Sequence, residues 1–230
     1  DDGLHLNNCQ DWYDSIISAI KGNGSTSNNN TSSSSNSNTN NKNNSNSNNT
    51  SGKQKETVTQ VDGDGYSEEY TSSAGITYKA YKQFEGSYSG NRYWRSNPNG
   101  TISSSGCGPT SVAILASGLV DPNITPAETA ASMYERHGYT GAEYLKEEMD
   151  SRGMTSEIIT GPSAEDIQNN LRNGKVMLVS VNSATKFTSE SHIMTIVDIN
   201  EEGQVYISNP SSHTNHGWTD VSEILKGCDY

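Results

Sequence analysis

The chain has 230 residues, of which 27 are Asp or Glu and 15 are Lys or Arg, for a formal net charge of −12. No basic stripe is available to replace phosphate counterions, which argues against nucleic acid as a partner. No apolar run is long enough to span a membrane, and apolar residues, 30 % of the whole, are sparse before residue 66 and denser after it.

Between Leu4 and Ile20 the residues Trp12, Tyr13, Ile16, Ile17 and Ile20 have the spacing of one short amphipathic helix. Residues 1–22 are too few for a domain, and with Asp at position 1 they read as the end of a preceding one, to which the rest is tethered. Residues 23–65 are predicted to be a disordered linker. From Asn23 to Thr50 the chain is almost entirely Asn, Ser and Thr, which cannot bury enough apolar surface to offset chain entropy. Some forty flexible residues span roughly 35 Å root-mean-square. Asp62-Gly-Asp64-Gly-Tyr66 has the look of a calcium loop, but Ser67 stands where its glycine belongs, so turn chemistry accounts for it.

Residues 66–230 are long enough for one globular domain with a core. Tyr88, Tyr93 and Trp94 read as core or loop anchors, with a smaller role in lining a cleft, and Arg92 and Arg95 as a small solvated basic spot. Next comes Ser105-Gly106-Cys107-Gly108-Pro109-Thr110-Ser111, a loop turning into a helix whose apolar run is expected to stop at Gly118. Thr125-Pro126-Ala127-Glu128 is a capping box with proline in the first turn, leading a helix to about Arg136. A second helix is predicted from Gly141 to Arg152, and a third is capped by Ser163-Ala-Glu-Asp166 and ends near Arg172. Lys175 to Val181 reads as a buried strand. Ser191 to Asp198 and Gln204 to Pro210, joined by Asn200-Glu-Glu-Gly203, read as a hairpin. Helices first and strands last give an α+β class.

Cys107 is placed where a helix macrodipole and unpaired N–H groups favour thiolate and can stabilise an oxyanion. A nucleophilic cysteine also needs a base and a group to orient that base. His192 opens the first strand of the hairpin and Asn209 closes the second, so antiparallel pairing brings the two together as a Cys-His-Asn arrangement. Asp198 competes for the orienting role, but its place near the turn aims it away from His192. His213 and His216 lack further ligands at metal-site spacing and read as a solvated loop. Cys9 and Cys228 read either as terminal thiols or as a disulfide pair.

These motifs resemble the papain-like cysteine peptidases of the bacteriocin-processing type and their broader bacterial relatives. The marks are Gln83, Gly-Cys-Gly-Pro-Thr-Ser at 106–111, Ser-His-Ile-Met-Thr-Ile-Val-Asp at 191–198 and Val-Tyr-Ile-Ser-Asn-Pro at 205–210, within a span of Tyr78 to Lys226. The resemblance implies a papain-like fold in which an N-terminal nucleophile helix packs on a C-terminal antiparallel sheet. It implies Cys107 as nucleophile, His192 as general base and acid, Asn209 as the orienting residue and Gln83 as an oxyanion-hole donor, with no cofactor or metal. Many relatives have Asp-Pro where this chain has Asn209-Pro210. The expected activity is hydrolysis of peptide-type amide bonds. Peptidoglycan peptides are the favoured substrate and the cell wall or extracellular space the favoured location, since Asn/Ser/Thr linkers are common in exported wall proteins. The alternatives are processing of secreted peptides after a double glycine, acyl transfer, or a binding module that keeps the fold without catalysis.

Overall fold

The computed structural model describes residues 16–20, 57–58, 66–159 and 161–227. The class is α+β, built on two antiparallel sheets. The larger has the strand order β5-β1-β6-β7-β8-β9, from β1 (Ile16–Ile20), β5 (Thr155–Ile159), β6 (Lys175–Val181), β7 (His192–Ile199), β8 (Val205–Ser208) and β9 (Gly217–Thr219). The smaller has the order β2-β3-β4, from β2 (Thr57–Val58), β3 (Tyr66–Thr71) and β4 (Thr77–Tyr81). The helices are α1 (Ile102–Ser105), α2 (Cys107–Leu119), α3 (Pro126–Arg136), α4 (Ala142–Ser151), α5 (Ala164–Arg172) and α6 (Val221–Leu225).

Strands β6 and β7 are near-continuous apolar runs because helices cover both of their faces. On one face Val176, Leu178, Ile193 and Val197 share a core with Val112, Ile114 and Leu115 of α2. On the other, Met177, Val179, Val181, Met194 and Ile196 pack with Ile167 and Leu171 of α5 and with Val221 and Ile224 of α6. Helix α2 is buried on all sides from Gly108 to Ser117, in keeping with its apolar run Val112–Ala116 and the small residues that flank it.

Several elements depart from the sequence reading. Ile16–Ile20, expected within a helix, is a strand paired antiparallel with β5 on one side and β6 on the other. Three isoleucines in five residues suit the pleated conformation better than a helix once two strand edges are there to pair with. The remainder of that predicted helix lies outside the described residues, as does most of the linker. Thr57–Val58, assigned to the linker, pairs with Glu68 and Glu69 of β3. Strands β3 and β4 precede the helices and β5 falls among them, so strands do not simply follow helices; these segments are short and largely polar, with little period-2 signal. The short α1 also precedes the cysteine helix.

Gly118 does not end that helix, which runs on to Leu119. A Cβ at Gly118 would lie 2.5 Å from Tyr78 Cδ1, so the glycine admits the β4 tyrosine against the helix. The two capping boxes form as expected, Thr125 with Glu128 and Ser163 with Asp166.

In the hairpin, Thr195 stands opposite Ser208 and Ile199 opposite Val205, with an irregularity between Ile196 and Asp198. The turn closes through Asn200, whose Oδ1 accepts from the Gln204 N–H at 2.8 Å, and Gly203 at a φ of 80°. This register leaves His192 and Asn209 at the same open end.

Candidate active site

Cys107 is the first residue of α2, directly after the cap residue Gly106. Both flanking glycines answer to close packing. A Cβ on Gly106 would sit 2.5 Å from the Ile102 carbonyl oxygen, and one on Gly108 would sit 2.5 Å from Thr140 Cγ2. Pro109 falls in the first turn, where its missing N–H costs no helical bond, and its carbonyl accepts from Thr129 Oγ1 at 2.8 Å. One turn on, Ser111 Oγ donates to Ile193 O at 3.2 Å, which ties the helix start to β7 beside His192.

The Cys107 side chain is half-buried. Burial pushes its pKa up from the ordinary 9.0, against the backbone N–H groups of Ile193, Gly108 and Cys107 itself, which pull it down. The helix start therefore acts on the sulfur in the expected sense, but desolvation outweighs it. The direction is opposite to the expectation of an acidified thiol.

His192, the first residue of β7, is buried, and its Nε2 lies 2.8 Å from Asn209 Oδ1. Burial lowers the imidazole pKa below the ordinary 6.5 and the Asn209 hydrogen bond offsets part of that shift, so the ring is neutral at pH 7. With Nε2–H donated to Asn209, Nδ1 is the nitrogen left to accept a proton.

Asn209 is fully buried just past β8. Its Oδ1 also accepts from Ser211 N at 2.9 Å and Ser211 Oγ at 3.0 Å, while its Nδ2 donates to Asn215 O at 3.0 Å. Ser211 Oγ is itself 3.0 Å from His192 Nε2. The serine thus bridges base and orienting amide. Sequence reasoning missed it, although Asn-x-Ser is the pattern of an Asx turn, in which the Asn side chain takes the N–H two residues on.

Gln83 follows β4 by two residues and is buried. Its Nε2 donates to Ser103 O at 2.8 Å, which leaves one amide N–H for another acceptor, and its Oε1 is buried without a hydrogen-bond partner. The Gln83 backbone N–H donates to Pro210 O at 2.8 Å and so joins the end of β4 to the residue after Asn209. Preceding it is Lys82, fully buried, with Nζ donating to Asn209 O at 2.8 Å. Burial pushes the Lys82 pKa down to about 8, and Glu68 and Glu85 limit the fall.

The other candidates resolve into structural roles. Asp198 faces away from His192: its carboxylate accepts from Tyr70 Oη at 2.6 Å, Ser73 N at 2.7 Å and Ser73 Oγ at 2.6 Å, fastening the smaller sheet to β7. His213 and His216, read as solvated, each meet a carboxylate: His213 pairs with Glu85, and His216 lies 3.4 Å from Glu68. Tyr88 and Tyr93 are buried. Trp94 takes a φ of 75° and packs its ring 6.0 Å from that of Tyr139. Cys9 and Cys228 lie outside the described residues.

The sequence profile of the Peptidase_C39 like family matches residues 75–227, a span that holds Gln83, Cys107, His192 and Asn209. The chain belongs to the Peptidase_C39 like family. Comparison with curated proteins gives no match. Membership makes residues 75–227 a bacteriocin-processing-like, papain-like cysteine peptidase domain, in accord with an α+β architecture built on an antiparallel sheet. Among the described residues of this Peptidase_C39 like chain, no helix is long and apolar enough to cross a membrane.

Proposed function

We propose that this protein hydrolyses peptide-type amide bonds through a Cys107-His192-Asn209 triad, with peptidoglycan peptides as substrate outside the cell. The observation that carries the catalytic part is the 2.8 Å contact from His192 Nε2 to Asn209 Oδ1, together with the bond from Ser111 Oγ to Ile193 O that ties the Cys107 helix start to the residue next to His192. In this reading His192 Nδ1 takes the thiol proton as sulfur attacks the scissile carbonyl, so that charge separates only as the C–S bond forms. Starting from a neutral thiol and a neutral imidazole, the site needs no preformed ion pair. The free amide N–H of Gln83 and the first N–H groups of α2 stabilise the oxyanion. His192 then protonates the leaving amine, and water, activated by the same ring, releases the acid from the thioester.

The substrate assignment rests on composition. An Asn/Ser/Thr tract before the domain suits a catalytic unit that searches an immobile, heterogeneous polymer from a tether. The test is digestion of purified Gram-positive peptidoglycan by the wild-type protein and by Cys107→Ala, with new amino and carboxyl termini identified by mass spectrometry. New peptide termini made only by the wild type are expected. Intact walls with cleavage of a double-glycine leader peptide would move the assignment to a processing peptidase. Transfer of the acyl group to an added amine would make the protein a transferase. An inert Cys107 with neither substrate changed would leave a binding module.

A further inference from the structure

Lys82 is a charged side chain with no exposure to solvent. An ammonium carries three N–H donors, and the acceptor it finds is the Asn209 carbonyl at 2.8 Å. Glu68 and Glu85 act on it through space. Removing an ammonium from water for one hydrogen bond is unfavourable, and an apolar side chain of similar length is commonly as stable or more so in such a place. Fold stability therefore does not account for this lysine.

Its surroundings point to alignment instead. Asn209 follows the last residue of β8, so its carbonyl lies beyond the sheet ladder and is held by Lys82. The next pair of residues repeats the connection through the main chain, from Gln83 N to Pro210 O at 2.8 Å. The Lys82 carbonyl in turn accepts from the buried Tyr88 Oη at 2.8 Å, which anchors the segment from behind. Lys82-Gln83 thus lies along Asn209-Pro210 with a bond at each step. One side of this pairing bears the oxyanion candidate Gln83, the other the amide that orients His192.

We infer that Lys82 is a positioning residue of the catalytic centre: its buried ammonium fixes the Asn209 peptide, and through it the amide oxygen offered to His192, in register with Gln83. The inference rests on the peptidase reading for its functional meaning, but its structural content concerns the bond between His192 and Asn209 and is measured separately.

The experiment compares the full chain with Lys82→Met, which removes the donor, and Lys82→Gln, which keeps an uncharged one. Three readouts are taken: the thermal melt, the solvent-protected Nε2–H proton resonance of His192, and the rate of Cys107 alkylation by iodoacetamide at neutral pH. Lys82→Met is expected to melt at or above the wild-type temperature, to lose the protected His192 resonance and to alkylate about tenfold more slowly, the scale of a small misplacement at a reacting centre. Lys82→Gln should recover part of both signals.

A Lys82→Met protein that melts normally and keeps both the resonance and the alkylation rate overturns the inference. Failure of both variants to fold also overturns it, because the lysine would then serve the fold. If alkylation of wild-type Cys107 is indifferent to His192→Ala, the peptidase reading falls. The positioning of His192 by Lys82 is still decided by the proton resonance.

Discussion

His192 Nε2 and Asn209 Oδ1 stand 2.8 Å apart although 17 residues separate them, because one hairpin register carries both to the open end of β7 and β8. Ser211 bonds to both atoms. The neutral amide therefore does not hold the ring alone, and the hydroxyl completes what a carboxylate would do with two oxygens.

This bears on how each partner responds to substitution. Asn209→Ala should lower kcat on the order of 10²-fold. That is less than the roughly 10⁴-fold loss seen when a charged orienting carboxylate is neutralised, because Asn209 carries no charge and Ser211 still reaches Nε2. Ser211→Ala alone should cost a few-fold. Steady-state kinetics on the same peptide would check the order; equal losses for the two variants would contradict it.

The pH profile follows from the direction of the His192 shift. Burial lowers its pKa below 6.5, so the acid limb of kcat/KM should have its midpoint below that value and activity should be full at neutral pH. Asn209→Asp keeps the acceptor oxygens and adds a negative charge beside the ring, so it should move that limb to higher pH. The stability link has the same origin. Because the folded pKa lies below the unfolded one, the His192 contribution is complete above about 6.5 and is lost as pH falls through the folded pKa. Chemical denaturation of wild type and His192→Gln across this range would show the difference narrowing on acidification.

For Cys107 the raised pKa makes a spectroscopic prediction. The ultraviolet absorbance of a thiolate that is lost in Cys107→Ser should be absent at neutral pH and develop with a midpoint above 9.0. A thiolate band already present at pH 7 would show that the N–H groups at the helix start outweigh burial.

Gly108→Ala places a methyl group 2.5 Å from Thr140 Cγ2 and 3.2 Å from Leu145 Cδ2, so the α3–α4 connection must shift or α2 must retreat. A loss of about 1–3 kcal/mol in urea denaturation is expected, accompanied by slower Cys107 alkylation. Gly106→Ala meets the Ile102 carbonyl oxygen at 2.5 Å, a backbone atom, and should be worse.

Asp198→Ala separates structure from catalysis. It removes the acceptor for the buried Tyr70 Oη and for both donors of the exposed Ser73. Stability should fall by roughly 2–4 kcal/mol, from several lost charge-assisted bonds, while the pH profile of Cys107 alkylation stays that of the wild type in conditions where the variant is folded. A shifted profile would return Asp198 to the orienting role.

Local chemistry made much of this protein legible from its residues. The helix around Cys107, the capping boxes at Thr125 and Ser163, the buried run of β6 and the hairpin with His192 at one end and Asn209 at the other depend on neighbours within a few positions or one turn. Each was readable because propensity, capping and period are short-range properties.

What only the tertiary structure decided arises where distant segments meet. The strand character of Ile16–Ile20 depends on the edges of β5 and β6, more than a hundred residues on. Lys82 looks like an ordinary solvated lysine until β8 delivers the Asn209 carbonyl, and Ser211 acquires a role only beside the His192 ring. The direction of the Cys107 shift could not be read from the helix start, whose N–H groups all favour thiolate. It depends on how much water the packed chain removes from the sulfur, and that desolvation is a property of the whole fold rather than of any motif.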